Sequence, residues 1–258
     1  MPRGWTEPEY DGRDWESASE LLWDERRGVY VDAADERSPR RLVSQQTNAI
    51  AIVSGCAPPQ RWSRILEAIL DERRLVIAPE ARLLQSGMGG QMLDPAEVAS
   101  FDPEWNVVAA QPFFAHILHQ AVVRAGRRDL IPSLCDRWFP LLQGGDGTIG
   151  ARWGGPPGLV RRAHAWSATP AYDLTTHVLG VRPLEPGYRR AAMNPLFGVL
   201  NKLSGSVPTP YGPIEIDLSR SAGQIVIPDG VEAVVSFEDA PLAGGTFGQG
   251  QHRLEEDL

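Results

Sequence analysis

The hydrophobic pattern of the chain changes near Arg182, and this change limits the possible folds more than any other feature. Before it, apolar residues recur at the three- and four-residue spacing of amphipathic helices. After it, seven prolines interrupt residues 183–228, and proline at this density excludes long helices. The 258 residues therefore predict a helical first part followed by a β-rich part.

The first part predicts about six helices joined by short connections. In the clearest segment, Trp62, Ile65 and Ile69 fall on one face, which needs a partner helix. Glycine or proline follows several segments, as expected at helix ends. We predict helices at residues 15–23, 46–54, 61–74, 107–125, 129–142 and 167–179, arranged as antiparallel pairs.

The second part contains alternating or β-branched runs of strand length. They lie at residues 214–218, 224–227 and 231–235 and predict a small antiparallel β domain. The tail holds several glycines and acidic residues and few large apolar side chains, which predicts disorder. We therefore expect an α-hairpin domain over residues 1–181, a β domain over 182–240 and a disordered tail over 241–258.

Charge and hydropathy exclude several classes of function. The chain has 25 basic and 33 acidic side chains, and a net charge of −8 argues against a nucleic-acid partner because phosphates need clustered positive charge. No apolar stretch is long enough for a membrane span, and the first residues lack the apolar run of a signal peptide. These features predict a soluble, cytoplasmic protein without a membrane partner.

Two histidines and two cysteines are the candidates for a metal or redox site. His116 and His119 are three residues apart on a predicted helix, a spacing that can bind a metal, yet no third ligand is recognisable. Cys56 and Cys135 fall in apolar helical patterns and are expected to be buried, reduced thiols. Structural roles are favoured for all four, and no metal or cofactor is predicted.

Four motifs resemble, in the same order, those of bacterial α-L-rhamnosidases. The segment AHAWSATPAY at residues 163–172 contains His-x-Trp-Ser, a signature found late in the family's barrel. Residues 113–127 resemble the penultimate outer hairpin, residues 23–32 with 44–49 resemble the middle hairpins, and residues 205–214 resemble the opening of the C-terminal β-sandwich. The resemblance covers roughly residues 20 to 235.

The resemblance implies a mainly α fold with a C-terminal β domain: a partial (α/α)6 six-hairpin toroid followed by a small antiparallel β-sandwich. A complete toroid has twelve helices, so this chain would supply only the second half of the barrel. The family's general acid and acidic sugar-binding motif lie in the other half. Because half a toroid leaves an apolar face uncovered, a partner chain or a second copy of this chain is expected to cover it.

The position of the family's general base is altered. Family members carry Thr-x-Trp-Glu-x-Trp shortly before the His-x-Trp-Ser signature, whereas residues 148–153 read TIGARW and place Ala151 at the carboxylate position. Inverting glycoside hydrolysis needs two carboxyl groups about 6.5 to 9.5 Å apart, and alanine has none. Asp146 and Asp102 are the remaining catalytic candidates, although Gly-Asp-Gly is typical of a turn and Asp-Pro is typical of a helix N-cap.

The resemblance places His164 at the barrel mouth, where it would hydrogen-bond a sugar hydroxyl. Trp166 and Trp153 would form aromatic walls for the sugar, and Gln45 and Asn48 begin an inner helix at the same mouth. Each has a structural alternative, namely a capping or buried role for the histidine, core packing for the tryptophans and helix capping for the amides.

Three functions follow from these residues. The first is an α-L-rhamnosidase-like glycoside hydrolase homologue that is truncated or lacks the hydrolytic carboxylates. The second is a non-catalytic carbohydrate-binding or scaffold protein with the same pocket. The third is a repurposed natural-product isomerase or cyclase that uses His164 or Asp102 as its acid or base. All three predict a rhamnoside or another small glycosylated or apolar ligand.

Overall fold

The computed structural model describes residues 20–33, 42–77, 101–143, 148–153 and 163–256. The chain divides into two compact units. The first unit consists of residues 1–125 and 150–167, and the second of residues 126–149 and 168–258. Helices and antiparallel sheets are both present, and strands are about as frequent as helices. The expectation of a mainly α chain is corrected accordingly.

In the described part of the first unit, a hairpin is followed by two helices, and most of the predicted helix at residues 15–23 lies outside the described residues. Strands β1 (Trp23–Asp24) and β2 (Val29–Tyr30) pair antiparallel, and helices α1 (Gln45–Ser54) and α2 (Pro59–Ile69) follow. The Ser44 hydroxyl accepts the Thr47 N–H at 3.2 Å and so starts α1. Gly55, with φ of 84°, ends α1 in the left-handed conformation. These bounds confirm the predicted helix at residues 46–54.

The predicted helix at residues 107–125 is shorter in the structure. Strands β3 (Leu75–Val76) and β4 (Val107–Val108) pair in parallel, and the 3-10 turn Pro112–Phe114 then leads into α3 (Ala115–Arg124). The adjacent valines therefore take part in strand pairing with a segment about thirty residues away, which local periodicity does not reveal. Helix α3 packs against α1 over the buried side chains of Ala49, Ile52, Leu118, Ala121 and Val122.

Helices of the second unit are short for local reasons. The predicted helix at residues 129–142 is divided into α4 (Ile131–Asp136) and α5 (Phe139–Leu142). Pro140 causes the division, because its ring would clash with the carbonyl group four residues earlier in a continuous helix. Helix α6 (Thr169–Asp173) follows a 3-10 turn at Ala165–Ala168 and runs into the π-helical turn Leu174–Val178, so the predicted helix at residues 167–179 has three parts.

The second unit also contains two four-stranded sheets, as the alternating runs predict. The strands are β5 (Val181–Pro183), β6 (Arg190–Met193), β7 (Lys202–Thr209), β8 (Gly212–Ser219), β9 (Ala222–Ile227), β10 (Glu232–Val235), β11 (Gly245–Phe247) and β12 (Gly250–Glu255). The first sheet has the order β11-β10-β6-β5 and the second sheet has the order β12-β9-β8-β7. All strand pairs in these two sheets are antiparallel except β6 with β10, which is parallel.

The tail predicted as disordered over residues 241–258 carries β11 and β12 instead. All six residues of β12 pair with β9, from Gly250 opposite Ile227 to Glu255 opposite Ala222. Leu254 is buried in this pairing, with 2% of its surface exposed. Backbone pairing along a whole strand needs few large side chains, so the composition of the tail was a poor guide to its structure.

Neither unit contains, among the described residues, a helix long and apolar enough to cross a membrane. The two thiols differ from the prediction in one respect. Cys135 is buried in α4 as expected, but Cys56 is exposed because α1 already ends at Gly55. Both cysteines are free.

The two thiols should therefore react very differently. Burial, followed in importance by Asp173 and Asp136, raises the pKa of the Cys135 thiol from 9.0 to about 12. We expect a thiol reagent at pH 8 to modify only Cys56 in the native chain and both cysteines after denaturation. The native state retains a Cys135 proton that the unfolded chain releases. The free energy of unfolding should therefore fall as the pH rises from about 9 towards 12.

Cys135→Ala is the control for the alkaline effect, since it should remove this part of the pH dependence. Rapid modification of both thiols in the folded chain at pH 8 would contradict the prediction that the Cys135 thiol is buried and has a raised pKa.

Candidate functional site

An aromatic cluster in the first unit contains two of the predicted site residues, His164 and Trp166, together with Phe113. The His164 ring lies 5.7 Å from the Phe113 ring, tilted by 49°, and 6.4 Å from the Trp166 ring, edge-on at 82°. Trp166 is 74% exposed and Phe113 is 39% exposed, which is unusual for large aromatic side chains. We call Phe113, His164 and Trp166 the aromatic cluster.

Two short turns hold these rings in place. Phe113 lies in the Pro112–Phe114 turn that precedes α3. On the other side, the Ser167 N–H donates to the His164 carbonyl at 2.9 Å, which fixes the turn that carries Trp166. Both segments are therefore held by backbone structure even though the rings themselves are partly exposed.

Trp153 ties a third segment to the same region. Its indole Nε1–H donates to the Ala110 carbonyl at 2.6 Å, and its backbone N–H donates to Gln111 Oε1 at 3.2 Å. Trp153 is only half-buried, and its polar edge is used by the protein. The structure thus places Trp153 beside the segment that leads to Phe113.

His164 carries the polar group of the cluster. Its Nδ1 is shielded from solvent and has no hydrogen-bond partner among the residues that the structure describes. Imidazole nitrogen donates or accepts a hydrogen bond depending on its tautomer, so this atom suits a hydroxyl, which can do both. The cluster therefore combines an exposed indole, a phenyl ring and one uncommitted polar atom.

The position at which the resemblance expects a general base carries an alanine. Ala151 is half-buried and offers only a methyl group. Asp146, the nearer of the two carboxylate candidates in sequence, lies outside the described residues. A proton therefore cannot be taken from water by the side chain at position 151.

Asp102 is exposed and organises a turn. Its Oδ1 accepts the Glu104 N–H at 2.9 Å, and its carbonyl accepts the Asn106 N–H at 2.7 Å. The Asn106 side chain in turn accepts the Asp102 N–H at 2.8 Å. These bonds close a turn that leads into strand β4, so the helix N-cap that the Asp-Pro sequence predicts is not formed here.

Asn48 is completely buried and serves the backbone. Its Oδ1 accepts the Tyr30 N–H at 2.8 Å, while its Nδ2 donates to the Tyr30 and Ser44 carbonyls at 2.9 Å each. The amide therefore pairs with β2 as a neighbouring strand would. Its polar atoms are used within the protein.

Gln45 has a similar role one turn earlier. It is completely buried, its Nε2 donates to the Ile69 carbonyl at 2.7 Å, and its Oε1 accepts the Ala110 N–H at 2.8 Å. Gln45 thus joins α2 to the segment that holds Trp153. In the structure both amides support the first unit from within, and neither presents a free group to a ligand.

Sequence reasoning did not assign a role to Phe113 or Gln111. Residues 113–127 were recognised only as a hairpin, and no sequence spacing links residue 113 to residue 164. One signal was available in the sequence. Phe113 directly follows a proline and precedes the apolar face of α3, which favours a turn with an exposed ring at this position.

Comparison with known proteins supports the resemblance in the second unit. Residues 180–250 match the family model of the bacterial alpha-L-rhamnosidase C-terminal domain. This part of the chain is rhamnosidase-like. No curated protein matches the chain.

Three solved rhamnosidases have a similar fold. The GH78 family rhamnosidase of Bacillus sp. GL1 matches 87% of this chain with a TM-score of 0.59 and 22% identity. The α-L-rhamnosidase of Aspergillus terreus matches 93% with a TM-score of 0.58 and 17% identity, and that of Dictyoglumus thermophilum matches 94% with 0.59 and 15%. At these identities the likeness concerns the fold.

The chain is much shorter than these enzymes. It spans 22%, 26% and 28% of the three solved chains, respectively. The activity of the complete enzymes therefore does not carry over directly to this chain.

Proposed function

We propose that the chain is an α-L-rhamnosidase-like glycoside hydrolase homologue that binds an L-rhamnoside at the aromatic cluster without hydrolysing it alone. The observation that carries the proposal is the exposed Trp166 ring beside the uncommitted Nδ1 of His164. The rhamnosidase-like fold indicates the ligand class, and Ala151 at the expected base position argues against turnover.

The cluster has the chemistry of a saccharide site. One face of a pyranose ring is rich in C–H groups and packs on the exposed indole of Trp166. A rotation of the imidazole that brings His164 Nδ1 to the surface would let a ligand hydroxyl satisfy this shielded polar atom, which otherwise costs about 1 to 3 kcal/mol. Phe113, whose ring centroid lies 5.7 Å from that of His164, would add a further apolar neighbour for the ligand.

Hydrolysis needs more than this cluster contains. An inverting mechanism requires one carboxyl group to protonate the leaving oxygen and another to activate water. Among the described candidates, Ala151 has no carboxyl group and Asp102 holds a turn. We therefore expect ligand binding without release of product.

Trp166→Ala tests the binding site. Removing the exposed indole should weaken L-rhamnose binding about tenfold, because aromatic contacts and their buried area contribute on the order of 1 kcal/mol or more. Calorimetric titration of the full chain measures the effect. Trp105→Ala is the matched control, since Trp105 is also exposed and packs against Arg74 rather than His164. Equal affinities for the two variants would contradict the assignment.

Incubation with an aryl α-L-rhamnoside tests the second half of the proposal. We expect no aryl alcohol above the buffer background while the same compound binds in the calorimeter. Steady release by the purified chain, lost in Asp102→Asn, would show that Asp102 acts as a catalytic carboxylate instead.

The wider architecture is proposed on the same basis. The helices would form part of an (α/α)6 toroid and the two sheets a β-sandwich, supported by the similarity to rhamnosidases. A partner chain or a second copy would then cover the half barrel. The two free thiols support a reducing, cytoplasmic location.

A further inference from the structure

The outer face of the second sheet contains a polar trough. One face of β7, β8 and β9 is buried through residues such as Leu203, Ile216 and Ile225, so the alternate residues face outward. A cavity of about 320 Å³ lies on this outer face. It is lined by Ser204, Gly205, Ser206, Glu215, Ile216, Asp217, Gln224 and Val226.

Strand register arranges the polar side chains in two rows. Ser204, Asp217 and Gln224 are direct neighbours across the three strands, and so are Ser206, Glu215 and Val226. The two serines are short while the side chains beside them are long. This difference in length makes the surface concave.

Some of the lining groups are fixed and others are free. Asp217 Oδ1 lies 2.8 Å from Lys202 Nζ, and Gln224 Oε1 accepts a hydrogen bond of 2.6 Å from Gln251. The serine hydroxyls and the Glu215 carboxylate form no hydrogen bond or ion pair with any residue in the described ranges. The trough thus combines two polar side chains that are held by neighbours with three that are uncommitted.

We propose that this trough is a binding site for a neutral saccharide or similar polyol, separate from the aromatic cluster. A carboxylate accepts from two adjacent hydroxyls, and each serine both donates and accepts. Val226 supplies an apolar surface for the C–H groups of the ligand. An anionic ligand is disfavoured because Lys202, the cation at the rim, is already paired with Asp217.

A divalent cation fits the trough less well than a polyol. Glu215 and Asp217 are two residues apart on one strand, which separates their Cα atoms by about 6.5 Å. Asp217 is also paired with Lys202, so a cation would have to break this ion pair to gain the second carboxylate. The geometry therefore favours hydroxyl groups spread over the two rows.

Amide NMR titration of the full chain with L-rhamnose, D-glucose and sucrose tests the proposal. At least one of these probes should shift the amides of residues 204–206, 215–217 and 224–226 in a saturable way. Ser206→Val should weaken this binding about tenfold or more, because it fills the trough and removes a hydroxyl while valine is well accepted in a strand. Glu215→Gln should weaken it by a smaller factor.

Glu255→Gln is the matched control, because Glu255 is an exposed carboxylate on β12 outside the trough lining. Trough shifts that persist in Trp166→Ala would separate this site from the aromatic cluster. The proposal is overturned if none of the three probes shifts these amides at concentrations up to about 100 mM. A dissociation constant of this size corresponds to a binding free energy of about 1.4 kcal/mol. It is also overturned if calcium chloride alone shifts them.

Discussion

Asn48→Ala is expected to lower the free energy of unfolding by about 3 kcal/mol or more. Three hydrogen bonds join this side chain to the backbone of Tyr30 and Ser44, and none of these atoms is near solvent. Alanine would leave the Tyr30 N–H and the Tyr30 carbonyl without their partner, and each such buried group costs about 1 to 3 kcal/mol, whereas the Ser44 carbonyl keeps the intrahelical bond of an N-cap.

Urea denaturation followed by circular dichroism measures this loss. Asn201→Ala is the control, because Asn201 is exposed and its replacement should change the free energy of unfolding by less than about 0.5 kcal/mol. Asn48→Asp should lose at least as much stability as Asn48→Ala, because it buries a carboxylate against the Tyr30 and Ser44 carbonyl oxygens that now accept from Asn48 Nδ2.

The result also distinguishes two roles for Asn48. As a residue of the barrel mouth, it would affect sugar binding while leaving stability almost unchanged. As a support for β2, it affects stability first, and any change in sugar binding follows from the disturbed unit. A stable Asn48→Ala chain with weakened rhamnose binding would restore the ligand-binding interpretation.

The strands of the second unit were largely predictable from sequence. Residues 214–218, 224–227 and 231–235 alternate or are β-branched, and strands β8, β9 and β10 lie there. Such strands have one buried face, which leaves a two-residue period in the sequence. Helix α1 was also predictable, because a serine N-cap and a glycine C′ residue mark its two ends.

Other elements depend on partners that are distant in sequence. Val107 and Val108 pair with Leu75 and Val76, and Gly250 to Glu255 pair with β9. A local window shows neither partner, so it indicated helix for the first and disorder for the second. Pro140 was visible in the sequence, and its position should have divided the predicted helix at residues 129–142.

The candidate site was predictable in part. His164, Trp166 and Trp153 were singled out from the resemblance, and the structure brings His164 and Trp166 into ring contact. Gln45 and Asn48 were also singled out, but helix position alone does not show whether an amide faces a ligand or a backbone. Phe113 was missed because its contact with His164 joins segments about fifty residues apart.

Gly180→Ala is expected to cause the largest loss of stability, more than about 4 kcal/mol. Gly180 has φ of +72°, a conformation that L residues rarely adopt. An added Cβ would lie 1.9 Å from the Asn194 carbonyl oxygen and 2.2 Å from its carbon. These are backbone atoms, so no side-chain rotation relieves the clash, and the β5–β6 pairing beside them would have to separate.

Gly187→Ala separates the effect of the left-handed backbone conformation from the effect of the clash with Asn194. Gly187 has a similar φ of +79°, but its added Cβ meets nothing within 4 Å. Gly187→Ala should therefore lower the free energy of unfolding only by the strain of the left-handed conformation, about 1 to 2 kcal/mol. Thermal unfolding of both variants measures the difference in stability. If Gly180→Ala does not fold, the soluble fractions of the two variants on expression are compared instead.

Equal losses in the two variants would show that the chain near Asn194 moves easily, and that strain alone explains the requirement for glycine. A larger loss at Gly180 would show that the close approach is needed. The Asn194 N–H donates to the Gly180 carbonyl at 3.1 Å, so the same contact that excludes a Cβ also closes the β5–β6 ladder. The sheet containing β5 and β6 would then depend on glycine directly before the first residue pair of these two strands.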